Sequence, residues 1–131
     1  MSQENVEMVR ASIDAMNRGD MNAAFKEVAQ DAEADQSRAV GMDRSVYSVD
    51  QFRRVAEEFA SSWESVRYEA HEFIEAGEHV VTPFTSHFRG RDGIEVQARA
   101  TWLWTFRDGA IVRLSLYQEL EEALEAAGLR E

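Results

Sequence analysis

Val96-Gln97-Ala98-Arg99-Ala100-Thr101-Trp102-Leu103-Trp104-Thr105-Phe106-Arg107-Asp108-Gly109-Ala110-Ile111-Val112 decides the fold of this chain. Val96, Ala98, Ala100, Trp102, Trp104 and Phe106 fall at every second position, and Gln97, Arg99, Thr101, Leu103, Thr105 and Arg107 alternate with them. A period of two belongs to a strand whose faces meet different surroundings. Asp108-Gly109 then supplies two positions that tolerate positive φ, the signal for a tight hairpin. A last strand is predicted from about Ala110 to Tyr117.

The same rhythm runs backward from this strand. Val80, Thr82, Phe84, Ser86 and Phe88 share one face of an earlier strand, which Gly90-Arg91-Asp92-Gly93 ends in a turn. Before it, Val66, Tyr68, Ala70 and Ile74 oppose Arg67, Glu69, His71 and Glu75, and Ala76-Gly77-Glu78 turns the chain. Sequential strands joined by tight turns pair antiparallel. Strands of roughly ten residues must twist and curl.

The first third reads as helix. Val6, Val9, Ile13 and Met16 form one apolar stripe, with Ser2 as a cap and Gly19 as the terminator. Asp20 caps a second helix carrying Met21, Ala24, Phe25 and Val28. From Asp31 to Tyr47 no period is evident; a short strand near Ala32–Asp35 and a long loop are predicted. Ser48 and Gln51 have capping-box spacing before a third helix with Phe52, Val55, Phe59 and Trp63 on one face. Glu119 to Ala127 predicts a short C-terminal helix stopped by Gly128. Helices segregated from strands define an α+β domain. The expected form is a cone: a curved antiparallel sheet of four long meander strands plus a short strand, packed on three N-terminal helices. Curvature of that kind encloses a pocket.

Composition narrows the function classes. The 131 residues form one domain, with 44% apolar residues and a net charge of −11. With 25 acidic against 14 basic residues, the chain would repel a phosphate backbone, so no nucleic acid partner is expected. No apolar run reaches the roughly 20 residues of a membrane span. The polar N-terminus and the absence of cysteine suit a cytoplasmic location and exclude thiol chemistry.

Asn17-Arg18-Gly19-Asp20 after an amphipathic helix resembles a helix end of the nuclear transport factor 2-like superfamily. Trp104 to Val112 resembles its penultimate hairpin. Asp35-Gln36-Ser37-Arg38-Ala39-Val40-Gly41 and Glu121-Ala123-Leu124-Glu125-Ala126-Ala127-Gly128-Leu129 are similar to its SnoaL-like branch. The resemblance covers nearly the whole chain and implies the same cone, an internal pocket and a homodimer through the outer sheet face. It does not fix function, because the superfamily holds isomerases, cyclases, epoxide hydrolases, dehydratases and non-enzymatic binding proteins.

Asp35 is the candidate catalytic residue: a carboxylate in an apolar cone acts as a general base. The partners that the resemblance to ketosteroid isomerases implies are missing. Ser12 stands near the tyrosine position and Trp102 near the acid position. The Asp–Arg–Asp cluster of limonene epoxide hydrolases is not evident, since Arg99 and Arg107 alternate away from Trp102 and Trp104. Ser37, Tyr47, Phe59, Trp63, Thr82, Phe84, Ser86, Trp102, Trp104 and Gln118 are expected to line the pocket, with Thr82, Ser86 and Gln118 orienting a ligand. His71, His79 and His87 recur at intervals of eight, which is not a ligand spacing, so no metal is expected, and no cofactor is implied. Two functions follow: a binder or enzyme for a small apolar or aromatic carbonyl compound, or a dimeric interaction domain whose cone is filled by tryptophan. Free space beside Trp102 and Trp104 discriminates between them.

Overall fold

The computed structural model describes residues 2–38 and 46–129. The expected Ser2 side-chain cap and the Ala39-Val40-Gly41 part of the family motif lie outside the described residues. The elements are α1 (Ser2–Arg18), α2 (Met21–Ala24), β1 (Val28–Asp35), β2 (Val46–Ser48), α3 (Val49–Ser61), β3 (Ser65–Ala70), β4 (Ile74–Ala76), β5 (His79–Arg89), β6 (Glu95–Arg107), β7 (Ala110–Tyr117) and α4 (Leu120–Ala126). The sheet order is β2-β1-β7-β6-β5-β3, with β4 also on β5. The meander from β3 to β7 is antiparallel throughout.

Three details depart from the sequence reading. The second helix is one turn long, and Val28, assigned to it by spacing, opens β1 instead. β1 is therefore longer than expected, and it pairs parallel with β7 while β2 pairs antiparallel on its other edge. The first meander strand breaks between Ala70 and Ile74, giving β3 and β4. Trp63, placed on the helical stripe, lies beyond the C-cap Ser62 and stacks on Phe88 at 5.1 Å.

Two apolar clusters lie on opposite faces of the sheet. On the concave face Val6, Val9 and Ile13 of α1 pack against Val80, Phe84, Trp102, Trp104, Phe106 and Ile111. On the convex face α4 covers Val81 and Leu103 with Ala123 and Leu124. The alternation in β5 and β6 thus feeds both clusters, which is why Val81 and Leu103 are apolar at otherwise polar positions.

The Asp108-Gly109 hairpin forms as expected, with φ of 52° and 79°. Just after it, a bulge in β7 sets Phe106 opposite Ile111 but Thr105 opposite Arg113. The extra residue, Val112, changes the phase of the strand. Ile111 and Leu114 consequently both join the concave cluster, and Arg113 emerges on the convex side.

Candidate functional site

Among the described residues, two chambers open on the concave face. The larger, about 120 Å³, lies beneath α3 and is bounded by Phe52, Phe59, Tyr68, Phe84, Trp102 and Leu116. We call it the aromatic chamber. Phe84 stacks on Trp102 at 3.9 Å, and Tyr68 tilts against Trp102 at 5.4 Å. Its lining residues with hydroxyl or amide side chains are Gln36, Tyr68 and Ser86. Tyr68 and Ser86 are cross-strand partners, so register brings their side chains side by side on one face. Gln36 is 3% exposed and Ser86 6%. Burial raises the Tyr68 hydroxyl above its ordinary value of 10.0, so it remains a neutral donor around neutral pH.

The smaller chamber, about 40 Å³, lies between α2, β1 and β7 and is nearly all apolar. Met16, Phe25, Ala34, Phe52, Trp104 and Leu114 are among its walls. Ser12 also faces it, but its hydroxyl donates to the Ala24 carbonyl at 2.8 Å. The Trp104 indole Nε1 and the Thr82 Oγ1 are buried without a hydrogen-bond partner among the described residues.

The expected site residues separate into five groups. Phe59, Phe84, Ser86 and Trp102 meet in the aromatic chamber, and Trp104 lines the apolar one. Thr82 faces the concave core but lines neither chamber. Trp63 shares an open groove with Phe59, Ile94 and Val96. Tyr47 packs on Phe52 at 6.5 Å, and the Gln118 amide donates to the Arg38 carbonyl at 3.1 Å; neither lines a chamber.

Asp35 and Ser37 form the fifth group, on the other side of the sheet. β1 alternates: Ala32, Ala34 and Gln36 are buried, while Glu33 and Asp35 accept from Arg113 at 2.6 and 2.9 Å. The Ser37 amide and hydroxyl also donate to Asp35. Burial pushes the Asp35 carboxyl up, but the Ser37 donors and the Arg113 guanidinium outweigh it and hold the carboxyl below its usual value. The position expected for Asp35, at the wall of the cone, is therefore corrected: Asp35 lines neither chamber, and a depressed carboxylate is a poor proton acceptor. Gln36 occupies the chamber in its place. The signal was present in Asp31-Ala32-Glu33-Ala34-Asp35-Gln36, where alanine alternates with acid.

The three histidines lie along the convex face. His71 bonds to Thr85 at 2.7 Å, His79 to Thr105 at 3.1 Å, and His87 to Glu69 at 2.8 Å. No three metal-ligating side chains converge among the described residues. No described helix is long and apolar enough to cross a membrane.

A curved sheet, three helices on its concave side and an aromatic chamber beneath α3 define a cone domain. Residues 9–114 match the SnoaL-like domain model, and the chain belongs to that family. No curated protein matches it by sequence. Among solved structures it is similar to AclR from Streptomyces galilaeus, with a TM-score of 0.77, 15% identity and 98% of each chain covered. A nuclear transport factor 2-like protein from Burkholderia pseudomallei gives 0.75 at 22% identity, over 93% of this chain and 95% of that one. A protein with the ketosteroid isomerase-like fold from Catenulispora acidiphila, in complex with trimethylamine, gives 0.73 at 18% identity, over 94% and 93%. Likeness at these identities establishes the cone; any chemistry rests on the chamber itself.

Proposed function

We propose that the chain binds a small, flat, largely apolar molecule in the aromatic chamber, with Gln36, Ser86 and Tyr68 supplying its hydrogen bonds. The carrying observation is that Gln36, Tyr68 and Ser86 line one chamber with aromatic walls. Apolar walls provide affinity, and a few placed polar groups provide orientation. A volume of about 120 Å³ suits a single ring, since a cavity of about 150 Å³ accommodates benzene. The Tyr68 and Ser86 hydroxyls and the Gln36 amide all donate, which selects a carbonyl or phenol oxygen on the ligand. Asp35 acts here as a positioning residue, tying β1 to β7 so that Gln36 faces the chamber.

Phenol is the probe that tests this reading. Titrating the full chain should quench tryptophan fluorescence saturably and shift backbone amide resonances of Gln36, Tyr68, Ser86 and Trp102. Ser86→Leu should abolish the effect by filling the chamber. Linear, unsaturable quenching, or shifts scattered over the convex face, would overturn the proposal.

One observation favours a second reading, a dimeric interaction domain with a filled cone. Both chambers are small beside the roughly 300–1,000 Å³ of ordinary ligand pockets. The convex face of the sheet outside α4, with His71, Gln97 and Arg99 exposed, is where such a contact would form. Sedimentation showing a dimer unaffected by phenol would support it; a monomer at micromolar concentration would exclude it.

A further inference from the structure

We propose that the outer edge of β6, from Glu95 to Arg99, pairs with the same segment of a second copy of this chain. The pairing is antiparallel, about a two-fold axis at Gln97. It joins two sheets edge to edge, and it depends neither on the aromatic chamber nor on a contact across the convex face.

β7 leaves this edge uncovered. Its pairing with β6 ends where Tyr117 meets Thr101, and the chain then turns into α4. On the other edge β5 pairs with β6 in unbroken register down to Arg89 and Glu95. From Glu95 to Ala100, β6 therefore has one partner strand, where Thr101 to Thr105 have two. Among the described residues, no turn, loop or cap hydrogen bond falls on the backbone of this stretch. Exposure agrees: Glu95 to Arg99 are all exposed, whichever face they point to, and buried residues begin at Thr101. An unpaired row of N–H and C=O groups is a template for another strand, and proline or a bulge commonly guards it. Neither is present in this stretch.

Self-complementarity selects the occupant. With Gln97 opposite Gln97, antiparallel order sets Glu95 opposite Arg99 and Val96 opposite Ala98, each twice by symmetry. Side chains alternate along the strand, so the charged pairs lie on the convex face and the apolar pairs on the concave face. Within its own chain Arg99 lies opposite Thr85 and has no acidic cross-strand partner. Glu95 meets Arg89 only loosely, at 3.7 Å. Val96 is 42% exposed, and Ala98 of the second copy would cover it. A slip of two residues in either direction loses both charge pairs, which singles out this register. The chain charge of −11 opposes close approach of two copies in general. This segment carries one acid and one base, so it meets itself without net repulsion. A ladder this short belongs among weak contacts, and a dissociation constant of about 100 µM is expected.

The test is sedimentation of the full chain from about 10 µM to about 0.5 mM, over which the average mass should rise. Arg99→Glu and Glu95→Arg, each alone, set like charges opposite one another and should weaken association roughly tenfold. An equimolar mixture of the two variants should restore it, because every cross-strand charge pair is then opposite in sign. Register is read with single cysteines, since the chain has none of its own. Val96→Cys mixed with Ala98→Cys should give a disulfide between the two variants. Neither should bridge to itself, because two residues along a strand add about 7 Å, beyond disulfide reach. Both positions lie on the concave face, so a contact across the convex face would not join them. A chain that stays monomeric at about 0.5 mM overturns the inference. So does an association that the mixture of charge variants fails to restore, or Val96→Cys bridging to itself as readily as to Ala98→Cys.

Discussion

The two faces of this sheet are built from the same strands and solve opposite problems. The concave face meets helices on one flank and is aromatic, stacked and nearly full. The convex face is polar in rows, such as His79, Thr105, Arg113 and Glu33, and is apolar only where α4 covers Val81 and Leu103. The difference teaches where a ligand is read: affinity resides on one face, while the charges that set strand phase reside on the other. Asp35 is the clearest case. Its carboxylate belongs to the convex network, yet its bonds fix the phase that turns Gln36 into the chamber.

Substitutions can break this contrast one face at a time. Trp104→Ala should have the largest effect, about 3–5 kcal/mol, because it empties the best buried aromatic position of the concave core. Urea unfolding measures it, and a loss under 1 kcal/mol would show that the two chambers collapse freely. Leu124→Ala, on the convex cluster, should lose about 2–3 kcal/mol without altering phenol binding in the aromatic chamber.

Asp35→Asn sharpens the comparison through pH. The folded carboxyl lies below its ordinary value, so its contribution is fully present above the unfolded pKa of about 3.9. That contribution is lost as pH falls through the folded value. Stability of the variant should therefore fall less steeply between pH 5 and pH 3 than that of the parent; equal slopes would mean that Arg113 and Ser37 contribute nothing. The smallest effect is expected at Tyr68, whose raised hydroxyl titrates above 10.0. Tyr68→Phe should remove the latest step in phenolate absorbance at alkaline pH and leave stability near neutrality almost unchanged.

The meander was legible because period two and the Asp108-Gly109 turn are local signals that tertiary context reinforces. Trp102, Phe84 and Ser86 share one phase of that period and border the aromatic chamber. What escaped was decided by partners distant in the chain. Val28 fits a helical stripe by spacing but is drawn into β1 by Ile111. Gln36 and Asp35 exchange faces according to a pairing with β7 that no local pattern announces. Gln118 kept its inward phase on paper, but the strand ends at Tyr117 and the side chain turns to Arg38.

The parallel pairing of β1 with β7 has a consequence for the order of assembly. Glu33 meets Arg113 across 80 residues of chain, whereas the meander pairings join strands that adjoin in sequence or, for β3 and β5, are separated only by the short β4. Contacts that close long loops form late, because the entropy of closure precedes their reward. During synthesis the hairpins can zip before the N-terminal segment finds its place. The chamber would then be completed only when the last strand arrives, and Gln36 would be among the final groups to take position.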